Sequence, residues 1–177
     1  MAILEIITAP HPILEKKARD VREDEFGAAL GIHVSDMAET MYAAPGVGLA
    51  APQVCDSRRI VVLDPGEGKE RGRRYFGFVN PVITWRSEKM ISWTETCLSV
   101  PTLEVEVIRN FQVKVEWTHF DGTPREGMFE EYEAVIVQHE LDHLLGTIIL
   151  DHASRFKRSR YLRRILKERK RDRGVVL

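Results

Sequence analysis

Apolar residues recur along the chain with two periods, which divide it into helices and strands. From residue 23 to residue 43 they recur every three or four positions, which predicts an amphipathic helix. A second helix is predicted through residues 138–146, because apolar positions surround this stretch and acidic residues precede it, where a helix dipole is positive. From residue 154 onward, an apolar stripe predicts a third helix.

Strands account for most of the sequence between the first two helices. Short apolar runs predict buried strands, and strict alternation predicts half-buried ones. Residues 64–74 are expected to form a charged loop, Asn80-Pro81 to end a strand, and Asp121-Gly122 to turn the chain into a hairpin. The predicted strands cover residues 60–63, 76–79, 82–85, 89–93, 104–107, 111–117 and 147–150.

The predicted second helix carries the most informative motif. His139 and His143 are four residues apart on one helical face, so both imidazoles can reach the same metal ion. Glu140 cannot share that position, but it can take a proton from a water that the metal activates. Two hydrogen-bonded core histidines are the alternative, and the glutamate between them favours the metal site.

Two cysteines are too few for a disulfide framework in a chain of 177 residues. Cys97 lies outside the obvious core runs, and its thiolate would be a strong ligand for a divalent metal. A buried structural cysteine is the alternative at this position. Cys55 is expected to be a small core residue at the edge of a strand.

A run of small residues lies between the first helix and the first strand. Gly46 and Gly48 allow the backbone to come close to a ligand. Gln53 is the polar side chain that follows this run, and its amide can donate a hydrogen bond into the space that the small residues leave. A plain helix-to-strand connection is the alternative.

Length and composition predict one soluble domain over residues 1–177, because a chain that is 44% hydrophobic can bury a rigid core. We see neither a basic leader nor a long apolar run, so we expect a cytoplasmic protein. The formal net charge of −1 is uneven: residues 155–173 carry +9, which leaves −10 for residues 1–154. The sequence therefore predicts a basic C-terminal helix, residues 154–177, on an acidic body.

Three motifs together resemble those of the peptide deformylase family. Residues 46–53 are similar to its G-h-G-h-A-A-x-Q motif, residues 95–99 to its E-G-C-L-S motif, and residues 138–146 to its Q-H-E-x-D-H-x-x-G motif. Their order and spacing agree as well, and the resemblance covers essentially the whole chain. It implies a metal-dependent hydrolase that removes the formyl group from the N-terminal formyl-methionine of new polypeptides and releases formate.

The resemblance also implies the metal and the group that moves protons. Cys97, His139 and His143 would bind one divalent ion, Fe(II), which zinc, nickel or cobalt can replace. Glu140 would be the catalytic acid and base. Three protein ligands leave a fourth position open, as catalytic sites do.

The remaining implied residues contact the substrate. Gln53 and the backbone N–H of Leu98 would stabilise the oxyanion, and Val135 and Ile136 would line an apolar slot for the methionine side chain. The implied substrate-binding residues are Gly46, Val47, Gly48, Thr96, Tyr132, Val135 and Ile136.

Pattern and resemblance together predict an α+β fold, with antiparallel sheets packed around a central metal-binding helix, an N-terminal helix and a C-terminal basic helix. The implied partners are nascent formylated polypeptides. The basic helix would dock on ribosomal RNA through phosphate contacts, with a plain solvated face as the alternative. Neither a membrane nor DNA is expected as a partner.

Three positions depart from the family pattern. Thr96 replaces a glycine and would be strained if the position needs a positive φ. Glu104 stands where many bacterial members carry arginine, and Tyr132 replaces a leucine in the segment that leads into the metal helix. We therefore expect an activity that depends on the residues after methionine.

Three other functions could use the same residues. A zinc-dependent peptidase would take its third ligand downstream of the histidines, where Asp151 and His152 are the candidates. A non-catalytic module would close a structural Cys2His2 site with Cys55. A degenerate relative would bind formylated chains without cleaving them, for which Thr96 is the one hint.

Overall fold

The computed structural model describes residues 2–66, Gly72 and 75–174. Helices and antiparallel strands are mixed within them, so the predicted α+β class is confirmed. In chain order the elements are α1 (Ala28–Ala43), β1 (Gly48–Ala50), β2 (Ile60–Leu63), β3 (Phe76–Arg86), β4 (Met90–Cys97), β5 (Val100–Asn110), β6 (Gln112–Thr118), β7 (Pro124–Glu130), α2 (Glu131–Leu144), α3 (Ile149–His152) and α4 (Arg155–Gly174).

The strands form two antiparallel sheets. One sheet has five strands in the order β1-β2-β3-β6-β7, and the other is the hairpin of β4 and β5. Asp121-Gly122 turns β6 into β7 as predicted, and Thr118 pairs with Pro124 at the start of that hairpin. Both sheets alternate buried and exposed side chains over much of their length, which leaves an apolar face on each.

Helix α2 lies between the two sheets, as predicted. It contacts β1, β2, β6 and β7 of the larger sheet and β5 of the hairpin. Most of its residues from 134 to 144 are buried, because it is apolar on several sides. The three acidic residues predicted to precede it are the N-cap Glu130 and, in its first turn, Glu131 and Glu133.

The first helix begins later than its periodicity predicts. Glu23–Glu25 form a separate 3-10 turn, and α1 starts only at Ala28. Gly27 has a φ of 125°, a conformation that breaks a helix and that glycine adopts most easily. The apolar residues before and after this break still pack in the same cluster, which explains why the period continues through it.

Asn80-Pro81 does not end a strand, contrary to the prediction. The chain continues as β3 through a register shift between Val79 and Val82, so that the proline occupies a bulge. Asn80 has a φ of 51°, and its side chain exchanges two hydrogen bonds with the backbone of Val21. Those bonds hold the bulge that admits the proline.

The predicted strand at residues 147–150 is also wrong. Ile149–His152 form the short helix α3, and the Asp151 carboxylate accepts a hydrogen bond from the Ile148 N–H at 2.9 Å. Cys55 differs from its prediction as well. It is exposed, with a φ of 61°, at the end of a 3-10 turn and not in the core.

The C-terminal helix is confirmed as α4, which packs Tyr161 into the cluster behind the hairpin. The predicted loop at 64–74 lies largely outside the described residues. In the described part of the chain, each helix is too short or too polar to cross a membrane.

Candidate active site

The structure brings Cys97, His139 and His143 together. Their candidate ligand atoms, one sulfur and two ring nitrogens, lie within 4.8 Å of one another, and all three residues are buried. Cys97 ends β4, and the histidines lie one turn apart on α2. Over residues 2–66, Gly72 and 75–174, this is the one group of three such side chains that could hold a metal ion.

The carboxylate of Glu95 orients the first histidine. Glu95 Oε2 lies 2.7 Å from His139 Nδ1. A histidine that gives one ring nitrogen to a carboxylate presents the other nitrogen to a metal, and the pairing fixes its ring orientation. Glu95 is two residues before Cys97 on β4, and the side chains of both residues are buried.

Arg109 on β5 connects this carboxylate to α2. Its Nε and Nη2 donate to the two oxygens of Glu95 at 2.7 and 3.0 Å. Its Nη1 donates to Asp142 Oδ2 at 2.6 Å, and the same oxygen lies 3.0 Å from His152 Nε2. The predictions from sequence missed this network, which joins four elements around the candidate ligands.

Burial and hydrogen bonds shift the pKa values of three residues at the site. Burial alone would lower the pKa of His139, but its hydrogen bonds with Cys97 and Glu95 outweigh burial and raise that pKa well above its usual value. Burial lowers the pKa of His143 well below its usual value, so this imidazole is neutral. Burial would raise the pKa of Glu95, yet the hydrogen bonds from His139 and Arg109 lower it to about 2.

This donor set fits a divalent transition metal. A thiolate and two imidazoles are ligands that iron, cobalt, nickel and zinc share. Cys97 Sγ lies 3.3 Å from His143 Nε2, a separation that two ligands can adopt when each is about 2.0–2.3 Å from one ion. The three side chains leave a coordination position open for water or substrate.

Glu140 lies on α2 beside the ligands. Within the described residues, its buried Oε2 has no hydrogen-bond partner. Burial raises the pKa of Glu140 to about 7, and the carboxylates of Glu95 and Asp142 contribute to the rise. A carboxyl group with such a pKa can both accept and donate a proton near neutral pH.

The two glycines of the small-residue run lie at points of close approach to other side chains. A Cβ at Gly48 would overlap Glu140 Oε1, so β1 can pass this close to the carboxylate only with glycine at that position. A Cβ at Gly46 would lie 2.6 Å from Leu98 Cδ1. The glycines therefore let this segment lie close to α2 and to the turn after β4.

Gln53 reaches the same place from a 3-10 turn after β1. Its Oε1 accepts a hydrogen bond from the Ala50 N–H at 2.8 Å. Its Nε2 donates to Ser99 Oγ at 3.1 Å and lies 3.7 Å from Cys97 Sγ. Leu98 occupies the turn between β4 and β5, next to the cysteine.

A cavity of about 480 Å³ opens beside these side chains. Its lining contains all the residues for which the sequence predicts a catalytic or substrate-binding role, and two of the three predicted metal ligands; His143 lies outside it. The predicted residues in the lining are Gly46, Val47, Gly48, Gln53, Thr96, Cys97, Leu98, Tyr132, Val135, Ile136, His139 and Glu140.

Two of the departures from the family pattern lie at this cavity. Thr96 continues β4 without a positive φ, so the threonine is not strained there. Tyr132 lies against Trp93, with ring centroids 5.1 Å apart and an interplanar angle of 32°. Sequence reasoning missed Trp93, although counting back along β4 by twos from Cys97 leads to Glu95 and then to Trp93.

The ligands of the alternative functions lie elsewhere. Asp151 caps α3 and pairs with Arg158 at 2.9 Å. His152 pairs with Asp142, and Cys55 is exposed. None of the three belongs to the metal-binding group in the described part of the structure.

Comparisons of sequence and of structure with known proteins both find peptide deformylases. The family model described as polypeptide deformylase matches residues 3–159. A peptide deformylase of Phenylobacterium zucineum is 43% identical over 173 residues, which are 96% of this chain and 99% of that protein. A peptide deformylase structure from Legionella pneumophila is 35% identical with a TM-score of 0.86, and covers 99% of this chain and 100% of that one. A Met-Ala-Ser-bound structure from Acinetobacter baumannii is 32% identical with a TM-score of 0.80, over 86% of this chain and 99% of that one.

Proposed function

Because the chain belongs to the polypeptide deformylase family, we propose that Cys97, His139 and His143 hold its metal ion and that Glu140 transfers the protons of its reaction. The enzyme removes the N-formyl group from nascent polypeptides. The observation that carries the assignment is the buried group of three ligand atoms within 4.8 Å, at the wall of the 480 Å³ cavity.

A divalent ion held by these ligands would supply Lewis-acid chemistry, polarising the formyl carbonyl and acidifying a water. Glu140 accepts the proton of the attacking water, for which its raised pKa suits it. The water oxygen bonds to the formyl carbon, and the bond between this carbon and the nitrogen breaks. The same carboxyl donates its proton to the departing nitrogen, so that the products are formate and the free amine of the new N-terminus. Glu95 and Arg109 keep the ring of His139 in place throughout.

Charge that develops on the formyl oxygen needs donors at a fixed place. Gln53 Nε2 and the backbone N–H of Leu98 fill this role, because both residues line the cavity next to Cys97. The bond from Ala50 N–H to Gln53 Oε1 turns the amide so that its NH₂ group faces the cysteine and Ser99. Donors fixed before the reaction need no reorganisation during it.

Fe(II) is the proposed metal, on the strength of the family resemblance. The ligand set does not exclude zinc, which binds such sites more tightly than Fe(II) along the Irving–Williams series. The test is formate release from formyl-Met-Ala-Ser by protein loaded anaerobically with Fe(II), Ni(II), Co(II) or Zn(II). Turnover fastest with iron supports the proposal, whereas an iron-loaded protein without formate release contradicts it.

The methionine side chain is proposed to enter the slot formed by Val135, Ile136 and Tyr132. The Acinetobacter baumannii relative binds Met-Ala-Ser. In this chain the Trp93–Tyr132 pair adds an aromatic wall to the cavity. Thioether sulfur makes favourable contacts with aromatic rings, so the wall favours methionine over side chains of the same shape without sulfur.

Replacing Tyr132 with leucine should therefore reduce the preference for methionine over norleucine. The ratio of kcat/KM for formyl-Met and formyl-norleucine peptides should fall by about two- to tenfold, the value of one sulfur–aromatic contact. Tyr132→Phe is the matched control, because it keeps the ring and should keep the ratio. An unchanged ratio in Tyr132→Leu would exclude this contact.

The C-terminal helix is proposed to dock on ribosomal RNA. Arg158 bonds to Asp151, Arg164 to Thr102, and Arg169 to backbone carbonyls, so this side of α4 holds the helix on the body. Four exposed cations at helical spacing form a second side, which we call the basic stripe: Arg160, Arg163, Lys167 and Lys170.

Reversing two charges of the basic stripe, Arg160→Glu with Lys167→Glu, should weaken binding of the whole chain to purified ribosomes. Each lost phosphate contact should also reduce the slope of log affinity against log salt by about 0.7–0.9. Arg158→Ala is the control and should leave ribosome binding unchanged, because the Arg158 guanidinium pairs with Asp151 of the body and does not belong to the basic stripe. Binding that is unchanged by the reversal, or that is insensitive to salt, would refute RNA docking.

Two broader assignments depend on these roles. Residues 1–177 are proposed to act as one catalytic domain that includes the C-terminal helix, because α4 and the hairpin share one apolar cluster. A cytoplasmic location is proposed, because formylated substrates emerge from ribosomes there.

A further inference from the structure

A short N-terminal segment holds both sides of the proposed oxyanion site. The Ile7 N–H donates to the main-chain carbonyl of Gln53 at 2.9 Å, and the Ala9 N–H donates to that of Ser99 at 2.8 Å. We call residues 7–10 the N-terminal strap. The strap thus bonds to both the 3-10 turn that carries Gln53 and the turn that follows Cys97.

The Gln53 amide depends on the relative position of these two turns. Its Oε1 is fixed by the Ala50 N–H within its own turn. Its Nε2 is fixed by Ser99 Oγ, at 3.1 Å, on the other turn. A change in the separation of the turns would therefore move the amide or break one of its two bonds.

The strap is itself held by one side chain of the C-terminal helix. Arg169 Nη1 donates to the Pro10 carbonyl at 3.0 Å. Arg169 Nη2 donates to the Thr8 carbonyl at 2.8 Å and lies 3.1 Å from Thr8 Oγ1 and 3.3 Å from the Ala9 carbonyl. The guanidinium thus binds three successive carbonyls of a segment that is 159 to 161 residues away in the sequence.

The bonds on the two sides of the strap share a peptide group. The Thr8 carbonyl that accepts from Arg169 belongs to the same peptide unit as the Ala9 N–H that donates to Ser99. A cation on the carbonyl polarises that unit and strengthens the bond made by its N–H. The planar fork of arginine can reach several carbonyls at once, which the single ammonium of lysine does less well.

We propose that Arg169 is a positioning residue for deformylation, which acts through the N-terminal strap on the Gln53 amide. This inference rests on the proposed role of Gln53 as an oxyanion donor. It assigns the C-terminal helix a part in catalysis that is separate from the basic stripe on its other side. Because the oxyanion forms only during the reaction, the effect belongs in kcat and not in KM.

The test compares kcat and KM for formyl-Met-Ala-Ser in metal-loaded wild type, Arg169→Ala, Gln53→Ala and the double variant. Arg169→Ala should lower kcat by about three- to tenfold at unchanged KM, the value of one weakened hydrogen bond. In the Gln53→Ala background the same change should cost almost nothing further. Arg169→Lys should recover part of the loss.

Hydrogen exchange and a second arginine separate positioning from general stability. Exchange of the Ala9 amide should accelerate in Arg169→Ala, because its bond to Ser99 weakens. Arg164→Ala removes another contact of α4 with the body, at Thr102, and should leave kcat and Ala9 exchange unchanged.

Three results would overturn the inference. The first is that Arg169→Ala lowers kcat by the same factor in wild type and in the Gln53→Ala background. The second is that Arg164→Ala lowers kcat as much as Arg169→Ala does. The third is that hydrogen exchange of the Ala9 amide is unchanged in Arg169→Ala. If instead Gln53→Ala alone has full kcat, the proposed role of Gln53 fails and the route through it fails as well. Formate release by the wild type remains the separate measure of the enzyme's function.

Discussion

Glu140→Gln should lower kcat for formate release by about 100- to 10,000-fold, the usual contribution of a positioned acid–base group. Glutamine preserves the size of the side chain, but it cannot accept a proton from water or return it to the amine. The loss should be in kcat, because Glu140 is proposed to act on the reacting atoms and not on the bound peptide. Single-turnover formate release measures it directly.

The experiment has two controls: the metal content of the variant, and the same substitution at a second glutamate of α2. Glu140 is not one of the three ligand residues, so the Gln variant should retain one metal ion per chain. Glu131→Gln changes an exposed glutamate in the first turn of the same helix and should keep wild-type turnover. A Glu140→Gln enzyme that retains more than a tenth of wild-type kcat would show that another group moves the proton.

The candidate ligands could be predicted because their residue types and spacing already express the chemistry. His139 and His143 share a helical face in any α-helix, whatever the rest of the fold. Cys97 and Gln53 are candidates on their own chemistry, but only the family resemblance joins them to the histidines in one site, since 42 residues or more separate them from the histidines in the sequence. The fold brings all four to one place, at the wall of the cavity or against it.

Arg109 could not be assigned from sequence for a related reason. Along β5, alternate residues from Leu103 are buried, and the next position on that face is Arg109. Alternation can therefore show that the Arg109 side chain points into the core, but it cannot show which carboxylates the guanidinium binds. Its partners Glu95 and Asp142 are 14 and 33 residues away, and only the packing of α2 against the hairpin pairs them.

Two of the errors in secondary structure arise where a side chain decides between two local conformations. The run at residues 147–150 is apolar and too short for periodicity to distinguish a strand from a helical turn. The Asp151 carboxylate favours the helical turn, because it accepts a hydrogen bond from the Ile148 N–H. At Asn80 the side-chain bonds to Val21 hold a bulge, which lets a strand continue through a proline.

Replacing Arg109 with methionine should destabilise the protein by about 3–5 kcal/mol, because it removes the guanidinium that binds both oxygens of the buried Glu95 carboxylate. Arg109 and Glu95 are 6% and 5% exposed, so water cannot compensate for the lost partner. Urea denaturation of metal-free wild type and variant measures the difference without a contribution from metal loss. Arg109→Lys should recover part of the lost stability, because it restores a positive charge beside Glu95. The recovery should be incomplete, because a single ammonium cannot bind Glu95 and Asp142 in the same forked arrangement.

The loss of unfolding free energy in Arg109→Met should also depend on pH. In the wild type the pKa of Glu95 is lowered from 4.5 to about 2. A carboxyl whose pKa is lower in the folded state contributes stability above its unfolded pKa and loses it as the pH falls towards the folded value. Without Arg109 the folded pKa rises, so the difference in unfolding free energy should be largest at neutral pH and narrow between pH 4.5 and 2. A difference that is constant over this range would show that Arg109 stabilises the fold by packing and not by holding the charge of Glu95.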